Sequence, residues 1–261
     1  MQKPPLPCFW CGCRRKMSRQ HVIPQWVSKV LAEDPRGWPN PFRVQRHYGG
    51  VPVGSFGASK VINLITKRVC KVCNEGWLEQ LVEHPTQPIL DPMLRGREAP
   101  LDLAEQSMLA AWVAKTAMEF RYALTPPEPV AAEWLTEMYE HQLAPETWYI
   151  WVTSYQGYRP VFAQHNDITL SFPVASVQDG SLTTPHGVLV TLVVGYVAFK
   201  VMGIKAGTPS YAGTDAWFRL WPLGNETFIW PPQRHLDEIS LPGFVNMYLD
   251  QTGEPPPPLP Q

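Results

Sequence analysis

The sequence predicts an α+β protein: a basic, cysteine-braced N-terminal module, then a helical and finally β-rich region. Three observations predict this. Two Cys-x2-Cys pairs, Cys8 with Cys11 and Cys70 with Cys73, lie within the first 73 residues. Segment 101–124 carries Leu109, Trp112, Val113, Thr116 and Phe120 at a spacing of three and four, the mark of a helix with one core-facing stripe. From "TWYIWVTSY" onward, apolar and aromatic runs are short and punctuated by turn residues, as strands are.

The elements follow in order. "HVIPQWVSKVLAE" reads as a strand or turn that passes into a short helix after Pro24. The stretch 35–59 is dense in Gly and Pro and reads as a long loop inserted into the module. "KVINLITKRVC" alternates well enough for a strand leading to the second cysteine pair. In "NEGWLEQLVEH", Trp77, Leu78, Leu81 and Val82 share one helical face, and Pro85 ends the helix. Glu75, Glu79 and Glu83 then share a stripe that reads as a solvated face. Residues 128–143 predict a second, shorter helix, and 188–203 with "AWFRLWP" are the strongest strand segments. These assignments divide the chain into a module at 1–95, a larger domain at 96–250 and a Pro-rich tail at 251–261 that favours polyproline II.

Charge divides the same way. Residues 1–73 hold 13 Lys and Arg against 2 Asp and Glu, although the whole chain carries a net charge of only -1. A basic module on an acidic body points to a polyanionic partner. The run "GVLVTLVVGYVAFKVMGI" at 187–204 is Val-rich and interrupted by Gly195 and Lys200, so a buried strand pair is favoured over a bilayer helix of about twenty residues. With no apolar leader at the N-terminus, a cytoplasmic location is expected. Five cysteines in that setting point to metal rather than disulfides.

Cys8, Cys11, Cys70 and Cys73 supply four thiolates, the ligand set of a closed tetrahedral zinc site that holds structure and leaves no position for water. Cys13 either replaces Cys11 or stands aside. Arg14, Arg15, Lys16, Arg19, Lys67, Arg68 and Lys71 flank the pairs and are candidate phosphate contacts.

The order Cys-x2-Cys, "QHVIPQW", Asn63-Leu64 and "CKVCN" resembles the HNH branch of the ββα-metal (His-Me finger) endonucleases, over about residues 8–84. Residues 70–112 are also similar to HNH-like proteins of bacteria and their phages. The resemblance implies a hairpin and helix packed over one divalent cation, Mg²⁺ or Mn²⁺, beside a structural zinc. It implies that His21 is the general base for water attack on a DNA phosphodiester. By the same resemblance Asn63 orients that histidine, and Asn74 is a side-chain ligand to the cation. Asn74 is equally suited to cap the helix that follows it.

One residue departs from the family pattern. The position before the histidine, an anionic cation ligand in the family, is Gln20 here. An amide oxygen is a neutral and weaker ligand, which leaves three outcomes. Gln20 and Asn74 suffice with waters, a carboxylate from elsewhere substitutes, or the module binds nucleic acid without cleaving it. The sequence thus supports two functions: a metal-dependent DNA endonuclease, and a zinc-containing nucleic-acid-binding protein derived from one.

Overall fold

The computed structural model describes residues 6–34, 45–48, 51–55, 62–123, 130–158, 161–169, 186–204, 217–237 and 240. The Pro-rich tail expected at 251–261 lies outside these residues. The architecture is mixed helix and sheet, as the sequence predicts.

The N-terminal part begins with the first cysteine pair and strand β1 (Gln20–His21), which pairs antiparallel with β4 (Ile65–Thr66). Pro24 fixes the backbone ahead of helix α1 (Gln25–Ala32), and Val27, Val30 and Leu31 form its buried face. Ser28 on that helix accepts the Ile62 N–H at 2.9 Å and so draws the β4 segment toward α1. Within the stretch 35–59, where the sequence suggests only a loop, β2 (Gln45–Tyr48) and β3 (Val51–Ser55) form an antiparallel pair. In the described part of "KVINLITKRVC", residues 62–70, the expected strand is confined to the two residues of β4, followed by a single bridge between Met17 and Cys70.

The second cysteine pair opens a long helical run: the short turn α2 (Lys71–Cys73), a π-helical segment (Asn74–Glu83) and α3 (His84–Leu94). The sequence reading that Pro85 ends the helix is overturned. The His84 N–H reaches back to the Glu79 carbonyl, a wide i→i−5 turn, immediately before the proline that would break a tighter ladder. Gly76 interrupts the run with non-helical backbone (φ −93°, ψ −115°). These two irregularities rotate the faces. Leu78 and Val82 are buried, but Leu81 is exposed, and Glu83 turns inward instead of joining Glu75 and Glu79 on a solvated stripe.

After β5 (Ala99–Leu101) comes α4 (Leu103–Ala123), close to the bounds the sequence predicts. Its expected single stripe is not what the fold uses. Every residue from Leu109 to Arg121 is buried, because α4 packs against the π-helical segment, α3 and β4 on one side and the large sheet on the other. A helix enclosed on all sides tolerates a polar residue only where a partner is provided. Helix α5 (Ala132–His141) follows.

The sheet is built from β6 (Trp148–Tyr155), β7 (Val161–Thr169), β8 (His186–Val194), β9 (Val197–Ile204) and β10 (Phe218–Trp221), in the order β10-β6-β9-β8-β7. Beside them, β11 (Phe228–Trp230) pairs with β5, and β12 (His235–Leu236) runs parallel to the end of β6. The run at 187–204 is therefore an antiparallel strand pair, and among the described residues no helix is long and apolar enough to cross a membrane. Its tight turn needs a glycine. Gly195 has φ +59°, and a Cβ there would lie 2.7 Å from the Leu94 carbonyl at the end of α3. One apolar core cluster runs from Cys8 to Trp230, so the cysteine module and the sheet share an interior across the boundary near residue 95.

Candidate metal centre and buried polar cluster

The four cysteines converge. The Sγ atoms of Cys8, Cys11, Cys70 and Cys73 all lie within 4.8 Å of one another, and Cys11 and Cys70 are 3.7 Å apart. A disulfide requires about 2.05 Å. Four sulfurs at about 2.3 Å from a tetrahedral zinc lie roughly 3.8 Å apart, so the arrangement fits a metal ion such as zinc. Local backbone prepares it. The Cys70 N–H donates to Cys8 Sγ at 3.3 Å, and the Cys73 N–H donates to Cys70 Sγ at 3.4 Å, which caps α2. The Gly12 N–H closes the first knuckle on the Cys8 carbonyl at 2.9 Å, with Gly12 at φ +68°. Cys13 stands outside the cluster and contributes only its carbonyl, which accepts the Cys8 N–H.

The sulfurs compete for negative charge. A hydrogen bond from Cys73 draws the Cys8 thiol down to about 4, and burial pushes Cys11 up to about 11. Sharing its proton with Cys8 drives Cys73 upward as well. Four thiolates in one space need a cation among them.

Aromatic contacts tie this centre to the rest of the fold. Phe9 stacks on Tyr122 at the end of α4, with centroids 4.1 Å apart and planes 2° from parallel. Trp10 meets Trp77 edge-on at 5.1 Å. Arg68, expected at phosphate, lies 5.7 Å from the Tyr122 ring centroid as a cation–π partner. Arg14, Arg15, Lys16, Arg19, Lys67 and Lys71 are exposed. Arg15, Lys16 and Lys71 line an open groove together with Val72, Glu75 and Gly76.

Gln20 and His21 are neighbours on β1, so their side chains take opposite faces. His21 faces outward, half-buried, with Nε2 2.9 Å from the Gln25 amide nitrogen. With Gln25 donating, the ring is neutral and carries its proton on Nδ1. Burial, chiefly, holds its pKa below the ordinary histidine value.

Gln20 faces inward and is buried. Its Nε2 donates to Glu83 Oε1 at 2.9 Å and more weakly to Glu119 Oε2 at 3.5 Å. Lys115 Nζ donates to the same Glu83 oxygen at 2.6 Å and lies 3.1 Å from Glu119 Oε2. Lys115 and Glu119 are fully buried, whereas the Glu83 side chain is 15% exposed. Burial depresses Lys115, but the two carboxylates outweigh it and raise its pKa above the usual lysine value. Burial pushes Glu119 up to about 7, and Lys115 only partly offsets that.

Sequence reasoning missed Glu83, Lys115 and Glu119. One signal was available: Lys115 and Glu119 stand four apart inside "AAWVAKTAMEF", an otherwise apolar run, where a buried charge requires a partner. The residues the resemblance implies are only partly brought together. His21 and Gln20 adjoin, and Asn63 lies two residues before the strand that pairs with them. Asn74 sits at the cysteine end of the π-helical segment, and Glu83, which Gln20 touches, sits at its other end. It makes no side-chain cap; Cys70 has that role.

This cluster does not fit Mg²⁺ or Mn²⁺. Both carboxylates already face an ammonium, and Gln20 turns donors, not its oxygen, toward them. Hard divalent cations require oxygen ligands with open lone pairs.

The Glu119 environment has a consequence for stability. Its folded pKa of about 7 lies above the ~4.3 of an unfolded glutamate. Its contribution favours folding at low pH and is lost as pH rises from there through 7. Urea unfolding between pH 5 and 8 is expected to show a decline with pH that Glu119→Gln removes; an equal decline in the variant contradicts this environment.

Comparison with known protein families, characterised proteins and solved structures finds no match to this chain.

Proposed function

We propose that this chain binds nucleic acid, with DNA as the partner, through a zinc-braced HNH-type module spanning residues 6–94. The groove lined by Arg15, Lys16 and Lys71 is the observation that supports this most strongly. Cations spaced along one open groove suit a phosphodiester backbone, whose condensed counterions they release. The four-cysteine centre gives the groove its shape. Arg15 and Lys16 follow the first knuckle, and Lys71 lies within the second, so a metal joining the knuckles fixes these cations relative to one another. The surface lysine–glutamate pair between Lys71 and Glu75, at 3.4 Å and over half exposed, costs little to open for a phosphate.

Hydrolysis is the second reading, and the state of His21 favours it. A neutral, half-buried imidazole on β1 is prepared to accept a proton once a water displaces Gln25. Plasmid nicking, with and without added Mg²⁺, separates the two readings. For binding alone, wild type and His21→Ala retain plasmid equally and neither nicks it. For hydrolysis, wild type nicks, and His21→Ala loses at least about a hundredfold in rate while its DNA affinity changes little.

A further inference from the structure

Glu83, Glu119 and Gln20 supply three oxygen-bearing side chains around one buried point, contributed by the π-helical segment, α4 and β1. The occupant of that point is an ammonium group: Lys115 Nζ lies 2.6 Å from Glu83 and 3.1 Å from Glu119, with no exposure of its own. A second observation marks the point as suited to a cation of higher charge. Glu119 Oε1 is fully buried and has no hydrogen-bond partner, so the ammonium leaves one carboxylate oxygen unclaimed. Glu83, the one partly exposed member, gives an entry path from solvent.

We infer that Lys115 is the resident cation of this module and locks a latent divalent-metal site formed by Glu83, Glu119 and Gln20. The lysine neutralises the carboxylates from within the chain. The wild-type protein therefore takes up no divalent ion at this cluster. The lock also accounts for the amide at position 20: the residue there must donate to carboxylates that Lys115 alone does not saturate. Removing the lysine charge leaves two buried carboxylates with no cation. A hard divalent ion would then take oxygens from both, and the Gln20 amide would rotate to offer its own.

Mn²⁺ titration of the zinc-loaded full chain, followed by electron paramagnetic resonance, tests this. Uptake is measured without nucleic acid, so its outcome is independent of the binding proposal. Wild type is expected to leave Mn²⁺ free. Lys115→Met is expected to bind about one Mn²⁺ at least tenfold more tightly than wild type, and to gain several degrees in thermal midpoint when Mn²⁺ is added. Combining Lys115→Met with Glu83→Gln should abolish both gains. Tight Mn²⁺ uptake by wild type, with paramagnetic broadening of the His21 imidazole signals, overturns the inference whatever the variants do. Folded Lys115→Met that ignores Mn²⁺ overturns it equally; where Lys115→Met fails to fold, Lys115→Gln is titrated in its place and decides by the same two outcomes.

Discussion

Cys70→Ser is expected to yield protein without its metal and without a cooperative thermal transition. Cys70 is fully buried, its sulfur accepts the Cys73 N–H, and its own N–H donates to Cys8. The substitution therefore breaks the ligand set and replaces the sulfur that accepts the Cys73 N–H, while the backbone donor to Cys8 stays in place. Structural zinc contributes about 10–16 kcal/mol in small zinc-binding peptides, as large as the ~5–15 kcal/mol net stability of a typical domain. The loss would spread, because Cys8, Phe9, Trp10, Val69 and Cys73 belong to the same core as Trp112 and Phe199. Elemental analysis of wild type should find about one zinc per chain. Cys13→Ser should keep both the metal and the transition, since Cys13 lies outside the cluster. Folded, soluble Cys70→Ser protein with an unchanged melting curve would contradict the metal centre.

Gln20→Glu is the second large effect. If position 20 faced a cation, as the resemblance implies, the added carboxylate would stabilise the protein and tighten metal binding. Facing Glu83 and Glu119, it does the opposite. The substitution removes a donor from Glu83 and sets a third carboxylate beside two others, one of them fully buried. An uncompensated buried charge costs about 3–5 kcal/mol. Denaturant unfolding at pH 8 is expected to show a loss of that order. Gln20→Met, which removes the donor without adding charge, should lose only about 1–2 kcal/mol. A Gln20→Glu protein as stable as wild type would mean that Gln20 does not face those carboxylates.

What the sequence made legible was local. The two cysteine pairs are three-residue spacings with a ligand geometry built in, and they close as that spacing requires. Helix α4 and the strand pair at 186–204 announce themselves through long apolar runs with a glycine at the turn. The polar cluster was hidden because its contacts are remote: Gln20 meets a residue 63 positions away and another 99 away. Glu83 was assigned to solvent by counting fours from Glu75, a count that assumes a regular helix. The break at Gly76 and the wide turn before Pro85 shift the register, so the same count pointed to the wrong face. That position 20 carries an amide where the resemblance implies an acid was plain in the sequence, but its physical meaning required knowing which groups face it.

The claim that this module grips a phosphodiester backbone is tested most directly by the salt dependence of DNA affinity, measured for wild type and for Arg15→Ala/Lys16→Ala/Lys71→Ala. Wild type should bind duplex DNA at low salt without added divalent ions, with the logarithm of affinity falling linearly against the logarithm of salt concentration. Each lost phosphate contact removes about 0.9 from that slope, so the triple variant should bind more weakly and flatten it by roughly 2 to 3. Wild-type protein that retains no DNA at low salt, or a triple variant whose affinity and slope match wild type, would contradict the account.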